Sequence, residues 1–401
     1  MIDPDRYTFP LPPELVAQEP SPERGGTRLL VVDRHGSVEG VRPFSDLPNL
    51  LRAGDLLVCN DSRVLPARLW ARRADTGGKV EVLLTRPHDP SNGSWLAMAR
   101  PARRLRAGVR LQITAPGQDE PLGPELEVLG RTDAGWIQVQ PLDGHRCEKL
   151  AEEHGDIPLP PYIRRDPSAA EASAQRESDR RRYQTVYARP TDDGAGSVAA
   201  PTAGLHFTDA LLADLQDRGI QMARVTLHVG PGTFLSPTED QVASRRLHAE
   251  HFVLSADTQG ALRRCREAGG RIITVGTTSL RVLETVARLE LDHEAPTGTT
   301  RRFPEVETTV PEFEGMATRM DQGWEVAGTT RLFIQPPDVV TAADGMVTNF
   351  HLPGSSLLML VAAFAGDQVW RDAYRTAVDH PLHFYSYGDA MLVRPISEES
   401  S

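Results

Sequence analysis

Lys79-Val80-Glu81-Val82-Leu83 opens the stretch whose reading decides the architecture. Trp95-Leu96-Ala97-Met98-Ala99, Val109-Arg110-Leu111-Gln112-Ile113, Leu126-Glu127-Val128-Leu129 and Trp136-Ile137-Gln138-Val139-Gln140 follow, each a short run of strand-favouring residues. The turn signals Gly77-Gly78, Asn92-Gly93, Pro116-Gly117 and Ala134-Gly135 divide them. Five short strands spaced in this way predict a small all-β barrel.

The remainder of the chain alternates helix and strand. Thr208 is placed to cap a helix that carries Leu211, Leu212 and Leu215 on one face and stops at Gly219, and a strand over 220–229 follows. Along that strand Met222, Arg224, Thr226 and His228 share one side while Ala223, Val225, Leu227 and Val229 share the other. The pattern repeats with a helix over 256–268, a Gly269-Gly270 stop and the strand Ile272-Ile273-Thr274-Val275. Gly276-Thr277-Thr278-Ser279 then opens a helix through Leu280, Leu283, Val286 and Ala287. An α/β (α+β) fold is expected: a barrel-like main domain with helices over residues 1–63 and 151–401, interrupted by the small barrel over residues 64–150. The polar piece 166–182 reads as a solvated loop or frayed helix, and the proline-interrupted stretch 291–328 as an insertion.

At 401 residues the chain suits two or three domains of roughly 100–200 residues each. With 39% hydrophobic and 25% charged residues it can build packed cores. A formal net charge of −11 argues against a broad positive field for coating nucleic acid and leaves room for a local basic face. Lys79 and Lys149 are the only lysines, so arginine supplies nearly all the positive charge. Met1-Ile2-Asp3-Pro4-Asp5-Arg6 has acid where a signal peptide carries base, and the longest apolar run, 357–365, falls short of the roughly 20 residues of a membrane helix. Cys59, Cys147 and Cys265 stand far apart without a C-x-x-C pair, against a disulfide framework, zinc ribbon or iron–sulfur cluster. A cytoplasmic protein is expected.

Chemistry concentrates in four loop-like segments: Asn60-Asp61-Ser62-Arg63, 199–207 with Thr202 and His206, 227–234 with His228, and Thr348-Asn349-Phe350-His351-Leu352-Pro353. Gly276-Thr277-Thr278-Ser279 lacks the Walker lysine, yet it sets free amides and three hydroxyls at a helix start, which suits a carboxylate or phosphate as well as a plain cap. Gly230-Pro231-Gly232 lacks the third glycine of a dinucleotide fingerprint. His248-Ala249-Glu250-His251 matches neither H-E-x-x-H nor its inverted form, and no G-x-S-x-G elbow is present. Arg100, Arg103, Arg104 and Arg106 cluster between two barrel strands, as an RNA-backbone contact or a solvated loop, and Lys79 is counted with them as RNA-binding.

In order, these segments resemble the signature series of the S-adenosylmethionine:tRNA ribosyltransferase-isomerase family of queuosine biosynthesis. Pro22-Glu23-Arg24, Gly77-Gly78-Lys79-Val80-Glu81, Pro158-Leu159-Pro160-Pro161-Tyr162-Ile163, Tyr183-Gln184-Thr185-Val186-Tyr187 and Tyr385-Ser386-Tyr387-Gly388-Asp389-Ala390-Met391 extend the similarity over nearly the whole chain. Arg245 and Gln335-Pro336-Pro337 depart from it, and 166–180 and 291–319 look expanded. The resemblance implies transfer of the ribosyl part of S-adenosylmethionine to a 7-aminomethyl-7-deazaguanine at the tRNA wobble position, giving epoxyqueuosine with loss of adenine and methionine. S-adenosylmethionine is then a consumed substrate, precursor-bearing tRNA the partner, and neither a metal, a resident cofactor nor a membrane is expected of what resembles a monomer. It implies His206, His228 and His351 for proton transfer, and Asp61 and Arg63 as ligands or orienters. Phe207, Phe234 and Phe350 would flank the adenine or sulfonium, and Thr277, Thr278, Ser279 and Arg281 would receive the methionine carboxylate. Thr202, Thr233 and Asn349 complete the substrate-binding set. A histidine-dependent hydrolase and a non-catalytic RNA-binding protein, with the barrel as its module, are the competing readings.

Overall fold

Alternation becomes a closed wall in the computed structural model, which describes residues 4–34, 36–89, 92–132, 135–142, 144–166, 172–190, 195–234, 237–303 and 312–395. After β1 (Arg28–Asp33), β2 (Val38–Pro43) and β3 (Leu56–Asn60) come β4 (Arg68–Arg73), β5 (Lys79–Asp89), β6 (Ser94–Arg100), β7 (Arg110–Thr114), β8 (Pro121–Arg131) and β9 (Ile137–Pro141). The last six close in the order β4-β5-β6-β9-β8-β7. Closure runs through β4 and β7, from Trp70 opposite Thr114 to Arg73 opposite Leu111. Leu69, Ala71, Val80, Val82, Leu84, Ile137 and Val139 share its core, so each strand spends every second residue on the interior and no edge is left open. The barrel has six strands where the sequence pattern shows five. The extra one, β4, offers only Leu69 and Ala71 to the core, and its three arginines hide the alternation.

Contacts divide the chain into two compact units. One is Arg63–Gln184 with Arg189–Ala200, and holds the barrel; the other is Met1–Ser62 with Thr185–Ala188 and Pro201–Ser401. The first unit therefore takes in the segment after residue 150, including a helix at Ala172–Arg182 in the polar stretch; 167–171 lie outside the described residues.

The second unit adds β10 (Gln221–Leu227), β11 (Arg246–Leu254), β12 (Ile272–Val275), β13 (Thr300–Phe303), β14 (Phe313–Arg319), β15 (Trp324–Leu332), β16 (Gly345–Asn349) and β17 (Ala390–Arg394). With the first three strands they form one sheet, β13-β14-β15-β11-β10-β3-β12-β16-β17-β1-β2, an open row of eleven. Mixed α/β architecture with a small inserted barrel is thus as expected, but the main domain, expected to be barrel-like, is built on a sheet whose end strands β13 and β2 do not pair among the described residues. The stretch read as an insertion, 291–328, instead supplies β13, β14 and the start of β15, antiparallel strands that alternate buried with exposed residues. One solvated face makes such strands read as polar chain. Of that stretch, 304–311 lie outside the described residues.

At the middle of the sheet β10, β3, β12 and β16 run parallel to one another. Every residue of β3, β12 and β16 is buried, as strands covered on both faces require. Their carboxyl ends consequently line up along one edge. Since β17 is antiparallel to β16 and parallel to β1, the starts of β17 and β1 lie at that edge too. The apolar run 357–365 falls in the largely buried helix Ser356–Ala365, and no helix among the described residues is long and apolar enough to cross a membrane.

Leu84 is fully buried in the barrel core. Leu84→Ala should therefore lower unfolding stability by about 2–5 kcal/mol, read by denaturant titration of the full chain; a change within ~0.5 kcal/mol would contradict a packed barrel interior.

Candidate active site

Four loops leave the parallel strands at the shared edge of the second unit. After β3 the chain turns through Asp61 and Ser62. The Asp61 amide still bonds Val225 O at 2.9 Å, and its buried carboxylate accepts the Thr226 hydroxyl at 2.7 Å. His228 follows β10. Alternation on that strand is as expected, with Ala223, Val225, Leu227 and Val229 buried. The half-buried His228 ring has Nδ1 2.8 Å from Ser62 Oγ and stacks on His251 with centroids 5.9 Å apart at 12°. Its amide donates to His251 O at 2.9 Å.

His206 ends the short helix Thr202–His206, on which Thr202 is half-buried. Its Nδ1 lies 2.8 Å from Thr27 Oγ1 and its Nε2 3.3 Å from Asn349 Oδ1, while Asn349 Nδ2 donates to Tyr385 O at 2.8 Å. Burial pushes the His206 pKa down to about 4, with Asn349 and Asp389 opposing the fall and Arg24 adding to it. His351 has Nε2 2.9 Å from Thr348 Oγ1, and burial pushes its pKa down to about 3. Both imidazoles are neutral at physiological pH and have lost most of their basicity. Gly204 allows the His206 helix to sit where it does: a Cβ there would lie 2.1 Å from Tyr187 Oη.

The helix Thr277–Ala287 starts at this edge, directly after β12. Thr277 is buried, Thr278 Oγ1 accepts Asn60 Nδ2 at 3.3 Å, and Ser279 Oγ donates back to Val275 O at 2.8 Å. Arg281, one turn on, is buried and ion-paired with Glu250 of β11; burial pushes its pKa down to about 10. Glu250 Oε1 also accepts the Gly230 amide at 2.7 Å and the Thr233 hydroxyl at 3.5 Å. The structure therefore joins Thr233, Arg281 and the 230–233 loop through Glu250. Sequence reasoning saw Glu250 only as part of a rejected metal motif. Among the described residues no group of three or more His, Cys, Asp or Glu is arranged to hold a metal ion.

Other expected residues lie apart from this edge cluster or are enclosed by protein. Phe207 is fully buried, edge-on to Phe44 at 5.3 Å, and Phe350 is fully buried against Tyr374 at 5.4 Å and Phe384 at 5.2 Å. The Phe234 side chain lies outside the described residues. Arg63 belongs to the barrel unit, where it pairs with Glu152 at 2.9 Å. In that unit Lys79 pairs with Asp119 at 2.9 Å. Arg100, Arg103, Arg104 and Arg106 are exposed and make no ion pair among the described residues. Asn60 and Ser62 lie in a segment singled out from the sequence, but only Asp61 and Arg63 of that segment were given individual roles. A signal was present, because Asn60 is a lone amide ending the apolar run Leu56-Leu57-Val58-Cys59.

The buried histidines fix the sign of an acid response. An unfolded chain takes up protons at histidine near pH ~6.5, whereas native His206 resists to about 4, so the unfolded state binds more protons between these values. Stability should be complete above pH ~6.5 and fall as the pH drops toward 4. Thermal melts of His206→Gln across this range should show a shallower fall than the parent; an identical pH slope would contradict a buried neutral His206.

Sequence comparison places these features among known proteins. A family model described as "Queuosine biosynthesis protein" matches residues 4–393. An S-adenosylmethionine:tRNA ribosyltransferase-isomerase of Anaeromyxobacter sp. (strain Fw109-5) is 43% identical over 389 residues, which is 96% of this chain and 97% of that protein. One from Acidithiobacillus ferrooxidans is 43% identical over 395 residues, 97% of each. The crystal structure of an S-adenosylmethionine tRNA ribosyltransferase from Thermotoga maritima shares 32% identity over 97% of this chain and 99% of that one, with a TM-score of 0.48. The sequence likeness runs through nearly the whole chain, and the protein belongs to the queuosine biosynthesis family of S-adenosylmethionine:tRNA ribosyltransferase-isomerases.

Proposed function

We propose that this protein transfers and isomerises the ribosyl moiety of S-adenosylmethionine onto 7-aminomethyl-7-deazaguanine at the tRNA wobble position, forming epoxyqueuosine-tRNA and releasing adenine and methionine. The observation that carries the reading is 43% identity over 96% of the chain to a transferase of that name. The edge cluster supplies chemistry that the reaction needs. A sulfonium acidifies the neighbouring ribose carbon, so a base must remove a proton there; departing adenine gains from a hydrogen-bond donor, and the attacking amine must arrive neutral. Burial lowers the pKa of His206 and His351, which favours neutral imidazoles that donate or accept hydrogen bonds in this reading. The half-buried His228 takes the proton, with Asp61 beside it as an orienting carboxylate.

Thr277, Thr278 and the free amides of their helix receive the methionine carboxylate. Arg281 contributes less, because Glu250 already neutralises it. Thr202, Thr233 and Asn349 line the remaining substrate surface. The tRNA is held through the inserted domain, assigned to residues 64–150, by the unpaired arginines Arg100, Arg103, Arg104 and Arg106. A tRNA substrate and three unbridged buried cysteines fit a cytoplasmic protein.

Two measurements test this reading. Adenine release from S-adenosylmethionine should require tRNA carrying the deazaguanine precursor, and His228→Gln should slow it by about 10²–10⁴ with the melting curve preserved. Chelator-sensitive hydrolysis, or near-normal turnover of His228→Gln at saturating substrates, would sink the corresponding part. Replacing Arg100, Arg103, Arg104 and Arg106 by alanine should weaken tRNA binding and flatten its salt dependence, by a slope of about 0.7–0.9 per lost phosphate contact, without altering affinity for S-adenosylmethionine. An unchanged slope would assign the cluster to solubility.

A further inference from the structure

Asn60 ends β3 with no exposed surface, and its carboxamide is engaged on every side. Nδ2 donates to Leu227 O at 3.0 Å and to Thr278 Oγ1 at 3.3 Å. Oδ1 accepts the amides of Leu227 at 3.0 Å and Ser62 at 3.1 Å. A primary amide has two donor hydrogens and two acceptor lone pairs, so this group is saturated.

The paired bonds to Leu227 have a structural meaning. Strand pairing between β3 and β10 ends at Asn60 opposite Val225, with one further bond from the Asp61 amide to Val225 O. Beyond that point the Asn60 side chain engages both the N–H and the C=O of Leu227, the two groups a neighbouring strand would otherwise engage. It acts as one extra rung of the ladder. The main chain is thereby released to turn away, which lets Ser62 reach His228, the residue directly after Leu227. Through Thr278 the same carboxamide also grips the first turn of the helix Thr277–Ala287.

We infer that Asn60 is a positioning residue for the reaction: its side-chain rung fixes where β10 delivers His228, and its bond to the Ser62 amide holds the hydroxyl that orients the imidazole. This inference rests on the assignment of His228 as the base. A displacement of about 1 Å at a reacting group can cost on the order of 10² in rate, so a modest shift of this rung is enough to be seen in turnover.

Asn60→Asp is the sharpest variant. It keeps the size and the acceptor oxygen but turns the donor nitrogen into an oxygen facing Leu227 O, which breaks the rung. Measured with S-adenosylmethionine and precursor-bearing tRNA, kcat for adenine release should fall about 10–100-fold while KM for S-adenosylmethionine changes only a few-fold, and the pH–rate profile should shift. In the double variant with His228→Gln the losses should not multiply, since both act on one step. Near-normal kcat in Asn60→Asp, an equal rise in KM with kcat unchanged, or multiplicative losses would overturn the inference. Failure of the underlying reading shows separately, as normal turnover by His228→Gln alone. If Asn60→Asp does not fold, Ser62→Ala takes its place: it leaves the rung intact and removes only the hydroxyl from His228, and an unchanged kcat and pH profile there would equally overturn the proposal.

Discussion

Stopping four parallel strands at one edge of a buried sheet leaves backbone donors and acceptors that the ladder no longer satisfies. Each such group left without a partner costs about 1–3 kcal/mol, so the edge must be finished with polar side chains. Asn60 closes β3 against β10. Asp389 closes the neighbouring starts of β1 and β17, accepting the amides of Arg28 and His383 at 2.8 Å each and also pairing with the Arg28 guanidinium. Asn349, the last residue of β16, reaches Tyr385 O with one atom and His206 with another. The polar residues that satisfy the fold are therefore also the ones that place the groups of the proposed reaction, and the two roles cannot be separated by position alone.

Desolvation then sorts chemically similar groups. His206 and His351 are enclosed by protein and driven to low pKa, whereas His228, on a half-buried position of the same edge, is available for proton transfer in the proposed reaction. Arg281 is held in a buried pair with Glu250, and removing either partner would strand an uncompensated charge at a cost of about 3–5 kcal/mol. That pair also pins the 230–233 loop through the Gly230 amide. In the proposed reaction the substrate carboxylate at this edge is therefore assigned to helix amides and hydroxyls rather than to a free cation.

Local features were legible in the chain because local physics writes them. Thr208 caps its helix by accepting the Leu211 amide at 3.1 Å, Ile272–Val275 is the expected strand, and β10 buries the expected face. Failures came where the deciding partner is remote. That the polar stretch 291–328 supplies sheet strands at 300–303, 313–319 and 324–328 depends on β11, which pairs with β15 some 75 residues away in sequence, as at Phe252 and Gly328. The partners of Glu250 and His206 are equally distant: Arg281 in one case, Thr27 and Asn349 in the other. No periodicity encodes such pairs. Phe207 and Phe350 show the same limit from the other side: an aromatic ring beside a polar loop residue reads equally as ligand contact or core until the rings packed on it are known, and here both are packed by other rings.

The point at which the chain leaves for the inserted unit follows from the same edge. The second unit's first segment ends at Ser62 and the barrel unit begins at Arg63, one peptide bond later; the chain comes back briefly at Thr185–Ala188 and finally at Pro201, immediately before Thr202–His206. An insertion is tolerated where the chain already leaves its sheet, because no ladder bond need be broken to admit it. At Ser62 the ladder has already ended, with the Asn60 side chain in its place, and the Asp61–Thr226 and Ser62–His228 bonds anchor the departing strand. Those anchors hold the exit of the chain and the proposed base together, so a substitution that loosens the exit at Asp61 or Ser62 disturbs the chemistry before it disturbs the barrel, whose core is built from its own residues.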